Sequence, residues 1–382
     1  MTLLKKSVTA LALSFACLAS AAPKKPVLAF YTQWNSPGSV DFSKITHLLF
    51  AFSLPNGGGS VSGYVPGGIV SQAHSAGVKC MISVGGVNHS VAFSGIASGS
   101  RQAFASSVKS IINANNLDGV DIDWEFPANS QDSANFTLLL KAVRSAIGTK
   151  LISVDVAPDG EKAQWISKSA ALIPDFWNVM AYDYTGDFQG SLIGQHAPYA
   201  KATVAMNYWR AKGVPKANII MGVPFYGKNF DAGGGAVAYS QIIGGNPGVS
   251  NDADSIGRTW YNGVTTITKK ATYVAQMSYG GIMIWEIAQD ASGSRSLLDA
   301  VNKGLTAEPV ALAERREAAP SRPGEIGVPG KTWIALSGAQ AGSRLSVSVP
   351  ARDVLGHARG SSPGAGAYFL DPGRDASAAT GR

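Results

Sequence analysis

Residues 117–127 read Leu-Asp-Gly-Val-Asp-Ile-Asp-Trp-Glu-Phe-Pro, which places Asp118, Asp121, Asp123 and Glu125 within eight positions, separated by glycine or apolar residues. On a β-strand, alternation puts Asp121, Asp123 and Glu125 on one face and Val120, Ile122 and Trp124 on the other. Same-face acids then stand about 6.6 Å apart. In a poorly hydrated interior three such groups repel one another when ionised, so at least one keeps its proton near neutral pH. A carboxyl that keeps a proton is a candidate general acid. One isolated aspartate would read as a satisfied core acid, but three in alternation at a strand end point to chemistry.

Other uses of the pattern fit less well. A calcium loop of the EF-hand type needs polar spacers, a glycine at its sixth position and a distant bidentate glutamate, whereas Ile122 and Trp124 are bulky and apolar. No His-x-x-His or Cys-x-x-Cys pair offers a zinc site. The serines lack a Gly-x-Ser-x-Gly elbow, and His47 sits in an apolar strand, so a nucleophilic triad is not indicated. No metal and no cofactor is expected.

Positioning these acids requires a scaffold of strands. Short apolar and β-branched runs at 27–31, 46–52, 78–84, 119–125, 151–156, 177–182, 219–224 and 281–285 alternate with segments of helical period. The helical segments are 69–76, 101–114, 131–146, 164–173, 198–211, 267–277 and 294–301. Eight strand-helix units over about 280 residues fit an α/β fold of the (β/α)8 TIM-barrel type. A doubly wound sheet is disfavoured because Tyr31-Thr32-Gln33-Trp34, rather than a glycine-rich phosphate loop, follows the first strand. In barrels of this kind the chemistry lies at the C-terminal strand ends. Here those ends carry Trp34, Gly85 and Gly86, Glu125, Tyr182 and Asp183, Tyr226 and Trp285.

With the motifs set on strands, Asp118-Gly-Val-Asp121-Ile-Asp123-Trp-Glu125 resembles the Asp-x-x-Asp-x-Asp-x-Glu signature of family 18 glycoside hydrolases, the bacterial-type chitinases in particular. Ser83-Val-Gly85-Gly86 is similar to that family's Ser-x-Gly-Gly strand, Met180-Ala-Tyr182-Asp183 to its Met-x-Tyr-Asp segment, and Trp285 to its strand-eight tryptophan. The resemblance covers residues 27–304.

The resemblance implies a retaining mechanism without an enzyme nucleophile. Glu125 would protonate the glycosidic oxygen while the substrate's N-acetyl carbonyl attacks the anomeric carbon. Asp123 would orient the acetamide, Asp121 would hold the proton inventory, and Tyr182 would hydrogen-bond the acetamide oxygen. Asp118 would be a structural acid at the strand entrance. Trp285 and Trp34 become sugar-stacking candidates, Asp183 a sugar contact near the cleavage point, and Met180 part of the acetamide pocket. Gly85 and Gly86 would permit close backbone approach. Only residues 226–280 separate strands seven and eight, and they read as glycine-rich loop and one helix rather than the α+β module of some relatives. A shallow, open cleft and endo-type cleavage of chitin or chitooligosaccharides follow. An endo-β-N-acetylglucosaminidase acting on N-glycans and a non-catalytic chitin-binding barrel remain alternatives.

The rest of the chain sets the context. Lys5 and Lys6 precede an apolar run and the small residues Ala19-Ser20-Ala21, the pattern of a secretory signal peptide over residues 1–21, cleaved after Ala21. A secreted, extracellular protein is expected. Cys17 leaves with that leader, so Cys80, in an apolar run, reads as a core residue with no disulfide partner. The formal charge of +7 falls by two, to +5, without Lys5 and Lys6, and the remaining basic residues are scattered. No nucleic acid and no membrane is expected as a partner, since no basic stripe and no later run of roughly 20 apolar residues is present. A monomer is expected. Residues 25–305 form the catalytic barrel in this reading, and residues 306–382, rich in Ala, Gly, Pro, Ser and Arg, read as a linker and a disordered or marginally structured tail.

Overall fold

The structure is a computed structural model that describes residues 25–35, 38–63, 65–186, 190–231 and 234–307. The leader at 1–21 and the tail from 308 onward lie outside the described residues.

Eight parallel strands close into a barrel: β1 (Val27–Thr32), β2 (His47–Pro55), β3 (Lys79–Gly85), β4 (Gly119–Asp123), β5 (Leu151–Val156), β6 (Phe176–Val179), β7 (Ile219–Pro224) and β8 (Gly281–Trp285). Each pairs with the next, and β1 pairs with both β2 and β8, which shuts the sheet on itself. The flanking helices include α1 (Ile69–Ser75), α2 (Arg101–Ala114), α3 (Ser130–Ile147), α4 (Tyr199–Ala211), α5 (Val264–Gln276) and α6 (Leu297–Leu305). This is the expected (β/α)8 architecture.

Helix α3 shows how the shell anchors the acid strand. Asn129 caps it by accepting from the Asp132 backbone N–H at 2.9 Å, while the Asp132 side chain accepts from the Ala128 N–H at 3.1 Å, a reciprocal N-terminal cap. Phe136, Leu139, Leu140, Val143 and Ile147 recur at helical spacing and are all buried. The helix stops where Gly148 takes φ 62°. Its Phe136 ring meets Trp124 edge-on at 5.9 Å, and Trp124 stacks on Phe93 at 5.6 Å and donates to Ser90 Oγ at 2.9 Å. The outward face of the acidic segment is thereby pinned, as its alternation predicts. Burial of each such large side chain contributes about 1.5–3 kcal/mol.

The barrel interior divides into two halves. Leu28, Phe30, Leu49, Ala51, Met81, Ile220 and Met283 fill one side as an apolar cluster. Ser83, Asp121, Asp123, Ser153, Asp155 and Asn178 line the other, each at most 4% exposed. The register aligns them, with Asp121 paired to Ser83 on β3 and to Ser153 on β5, and Asp155 paired to Asn178 on β6.

Two expectations need correction. Residues 164–173 do not form one helix: a single α-turn at Gly160–Ala163 precedes them and a 3-10 turn at Lys168–Ala170 lies within them. The Lys212 ammonium takes the carbonyls of Ala163, Gln164 and Ile166 at 2.9, 2.9 and 2.7 Å, acceptors that a continuing helix would have used. Between β7 and β8, the segment read as loop and one helix also contains a small antiparallel sheet of Tyr226–Asn229, Ala236–Ala238, Ser255–Ile256 and Thr259–Trp260, plus a helical turn-and-a-half at Tyr239–Gly244. Strands of two to four residues carry too little alternation to be read from sequence.

Candidate active site

Strand β4 ends at Asp123, so Asp121 and Asp123 point into the barrel and Glu125 stands just beyond, half-buried at the mouth. Asp121 is the best satisfied of the acids. Ser83 donates to its Oδ2 at 2.7 Å, and Ser153 and Asn178 donate to its Oδ1 at 2.5 and 3.1 Å. Burial raises its proton affinity and these donors work against that rise. Asp123 lacks such support: its Oδ1 is buried without a hydrogen-bond partner, and burial together with the charges of Glu125 and Asp121 pushes it well above the ordinary aspartate range. Glu125 is also raised by burial, with Lys162 opposing the shift and Asp183 reinforcing it. The mouth therefore holds carboxyls that keep their protons more tightly than usual, the direction a general acid requires.

Tyr182 and Asp183 follow β6. The Tyr182 hydroxyl donates at 3.9 Å to the Met283 sulfur, a weak acceptor that a ligand oxygen would outcompete. Burial and the nearby Asp155, Asp123, Asp183 and Glu125 push the phenol well above its usual value, so it remains a donor. Asp183 adopts φ 57°, the left-handed region, which turns its side chain away from the strand line. Its Oδ1 accepts from the Tyr226 hydroxyl at 2.6 Å and lies 3.2 Å from His196 Nδ1, and its Oδ2 faces Lys228 Nζ at 3.4 Å. Burial pushes this carboxyl up, but His196, Lys228 and Tyr226 overcome the effect and hold it below the usual range. It is an ionised, tethered group.

An aromatic floor lies across the β8–β1–β2 side. Trp285 stacks on Phe52 at 5.5 Å and meets Phe30 edge-on at 5.1 Å, and Trp34 sits 6.5 Å from Trp285 and 6.1 Å from Phe52. Trp34 is 60% exposed, so it offers a ring face to solvent. Met180 packs at the edge of the interior apolar cluster with Tyr182 and Trp285. The structure thus gathers Trp34, Trp285, Met180, Tyr182, Asp183, Asp121, Asp123 and Glu125 at one end of the barrel.

Gly85 and Gly86 take φ 125° and 93°. The close approach they allow is that of the protein itself, because a Cβ on Gly85 would run into the Asp123 carbonyl and one on Gly86 would meet the Phe52 ring at 2.8 Å. Both glycines therefore set the positions of site residues. Asp118 lies at the opposite end of β4, accepting from the Cys80 N–H at 2.8 Å and facing His74 Nε2 at 2.8 Å, which fits a structural acid. Cys80 is buried, and burial pushes its thiol up to about 12, so it acts as core.

The sequence reading misses Ser153, Asp155 and Asn178 on the polar wall, and His196 and Lys228 around Asp183; it sets Tyr226 at a strand end but gives it no role. A signal exists for the first pair. In Leu-Ile-Ser-Val-Asp-Val, residues 151–156, Ser153 and Asp155 interrupt an apolar strand with period two, as Asp121 and Asp123 do.

A closed parallel barrel with paired inward acids and a protonatable glutamate at its mouth defines a class of sugar-cleaving enzymes, and the comparisons agree. The model of the glycosyl hydrolases family 18 matches residues 26–290, and the chain belongs to that family as a glycoside hydrolase. "Endochitinase 1" of Metarhizium anisopliae is 27% identical over an alignment of 349 residues that covers 70% of this chain and 82% of that protein. The GH18 chitinase ChiB of Flavobacterium johnsoniae is 31% identical with a TM-score of 0.65, covering 74% of this chain and 94% of that one. A chitinase-like agglutinin of Robinia pseudoacacia, 25% identical, superposes with a TM-score of 0.64 over 73% of this chain and 99% of that one.

Proposed function

We propose that the protein is a secreted endochitinase that hydrolyses β-1,4 bonds between N-acetylglucosamine units, retaining configuration by using the substrate's own acetamide as nucleophile. Glu125 donates its proton to the glycosidic oxygen as the C–O bond breaks, and the acetamide carbonyl oxygen bonds to the anomeric carbon to give an oxazolinium ion. Water then opens that ion, returning a proton to Glu125. Asp123 orients the acetamide N–H and balances its growing positive charge, and Asp121 anchors the acid pair. Tyr182 donates to the acetamide oxygen, Met180 lines its pocket, and Trp285 stacks beneath the sugar.

The observation that carries this reading is the state of Asp183. A second accessible carboxylate beside Glu125 would be the natural enzyme nucleophile, but both oxygens of Asp183 face His196, Tyr226 or Lys228. Asp121 and Asp123 are buried beneath the mouth. The electrophilic carbon is left to the substrate's own carbonyl.

Endo action is supported by apolar residues exposed beside the mouth: Val87 and Val91 after β3, Leu192 and Ile193 after β6. A polymer could lie across such a surface from either direction. Export rests on the leader read in residues 1–21, and no helix among the described residues is long and apolar enough to cross a membrane. The barrel is proposed to act as a monomer.

Hydrolysis of a chitin hexamer, set beside a glycopeptide bearing N-acetylglucosamine, tests substrate class. Internal cleavage of the hexamer into mixed shorter oligomers is expected. Preferential release of the glycan from the peptide would move the assignment to an endo-β-N-acetylglucosaminidase, and no cleavage of either would mark a binding barrel.

A further inference from the structure

Asp155 has no part in the chemistry above, yet it occupies the same buried wall. It sits on β5 one step beyond the Ile122–Val154 pair, which sets it beside Asp123, and it is paired on its other side with Asn178 of β6. It is 4% exposed, and neither of its carboxyl oxygens receives a protein hydrogen bond, since the Asn178 amide is directed to Asp121. A buried carboxylate with no donor is among the most costly arrangements in a protein interior. A carboxylic acid in the same place is not, because it has an O–H to give and Asp121 within reach to accept it.

We propose that Asp155 is a positioning residue that rests as a neutral acid and donates its O–H to Asp121, fixing Asp121 as an anion beside Asp123. The groups facing Asp155 agree with this assignment. They are Asp121 and Asp123 from β4, Asn178 from β6 and the Tyr182 phenol, none of them a cation. Burial first, then the charges of Asp121 and Asp123, push Asp155 well above the aspartate range, while Asp121, held by Ser83, Ser153 and Asn178, rises less. With four donors on Asp121, that carboxylate is a weak base and leaves the Asp123 side chain free to serve the acetamide. The functional part of the inference rests on the proposed substrate-assisted reaction; the protonation state of Asp155 does not.

Asp155→Asn keeps the shape and a donor, whereas Asp155→Ala removes both. Expected for Asp155→Asn is a kcat within about threefold of wild type and an unmoved alkaline limb in its pH profile; for Asp155→Ala, a kcat lower by about tenfold or more with KM little changed. An ionised Asp155 would give another result, since removing an anion lowers the pKa of neighbouring acids and moves the limb to lower pH. Infrared difference spectra at neutral pH, wild type against Asp155→Asn, are expected to lose one protonated-carboxyl band. This arm needs no substrate and still reads if the Ala variant does not fold. An absent band difference, a shifted limb, an Asn variant as impaired as Ala, or an Ala variant as active as wild type would each overturn the proposal. Glu125→Gln separates this from the reading beneath it, because full hydrolysis by that variant would sink the reaction scheme while leaving the infrared result intact.

Discussion

Tyr226 donates its hydroxyl to Asp183 at 2.6 Å between neighbouring strand ends, from two places after β7 to four places after β6. His196 meets the same oxygen, and Lys228 faces the other. An aspartate so tethered can hold a sugar hydroxyl or shape the field at Glu125, but it is poorly placed to attack carbon. Asp183→Asn is therefore expected to lower kcat/KM by about 10- to 100-fold without abolishing turnover. Added azide should not restore the rate or yield a glycosyl azide of inverted configuration. Such rescue would identify Asp183 as the nucleophile.

In the proposed reaction Tyr182 is the donor that meets charge on the acetamide oxygen. Removing one donor of this kind costs about 100- to 1,000-fold in kcat in acyl-transfer enzymes. Tyr182→Phe, which keeps the ring and its packing, should fall in that range on a chitin oligomer with KM changed much less. A pure KM effect would place the hydroxyl in ground-state binding alone.

Trp34 and Trp285 share a floor but not a burden. Trp285 packs on Phe30 and Phe52, whereas Trp34 is mostly exposed. Trp34→Ala should leave the melting temperature unchanged and weaken oligomer binding by about tenfold, in keeping with the loss of one stacking face. Trp285→Ala should lower both binding and melting temperature. Calorimetric titration of the Glu125→Gln background with a chitin tetramer, together with thermal melts, separates the two effects.

Lys270 supplies a pH test of stability. It is completely buried and donates to the Ala197 carbonyl at 2.8 Å and Asn262 Oδ1 at 2.7 Å, and burial lowers its pKa to about 7. In the unfolded chain a lysine titrates near 10.4, so between about 7 and about 10.4 the unfolded state binds more protons, and stability from this group rises with pH. Urea unfolding of wild type and Lys270→Met from about pH 6 to about pH 9 should show wild type gaining on the variant as pH increases. A constant difference would mean that Lys270 stays charged in the fold.

Much of the barrel was legible because each strand is a short apolar run and the candidate carboxylates lie on or just beyond one of them. Asp121, Asp123 and Glu125 declare themselves by alternation within five residues. The wall that supports Asp121 does not, since Ser83, Ser153 and Asn178 come from three other strands and converge only when the sheet curls shut. Asp155 reads locally as a single acid in a hydrophobic strand, and its meaning depends on the neighbour across the register. Residues 164–173 carry a helical pattern that Lys212, 46 to 49 residues further along, overrides by taking the carbonyls of Ala163, Gln164 and Ile166 at its start. Pattern reports what a segment prefers; distant donors decide what it becomes.

The central claim is that the substrate's acetamide, rather than a side chain, attacks the anomeric carbon. It is tested most directly with a series of aryl chitobiosides in which the N-acetyl group at the cleaved sugar is replaced stepwise by its mono-, di- and trifluorinated forms. Each fluorine weakens the carbonyl oxygen as a nucleophile with little change in size. A steep, progressive fall in kcat/KM along the series is the predicted result, and a rate that stays level would contradict it.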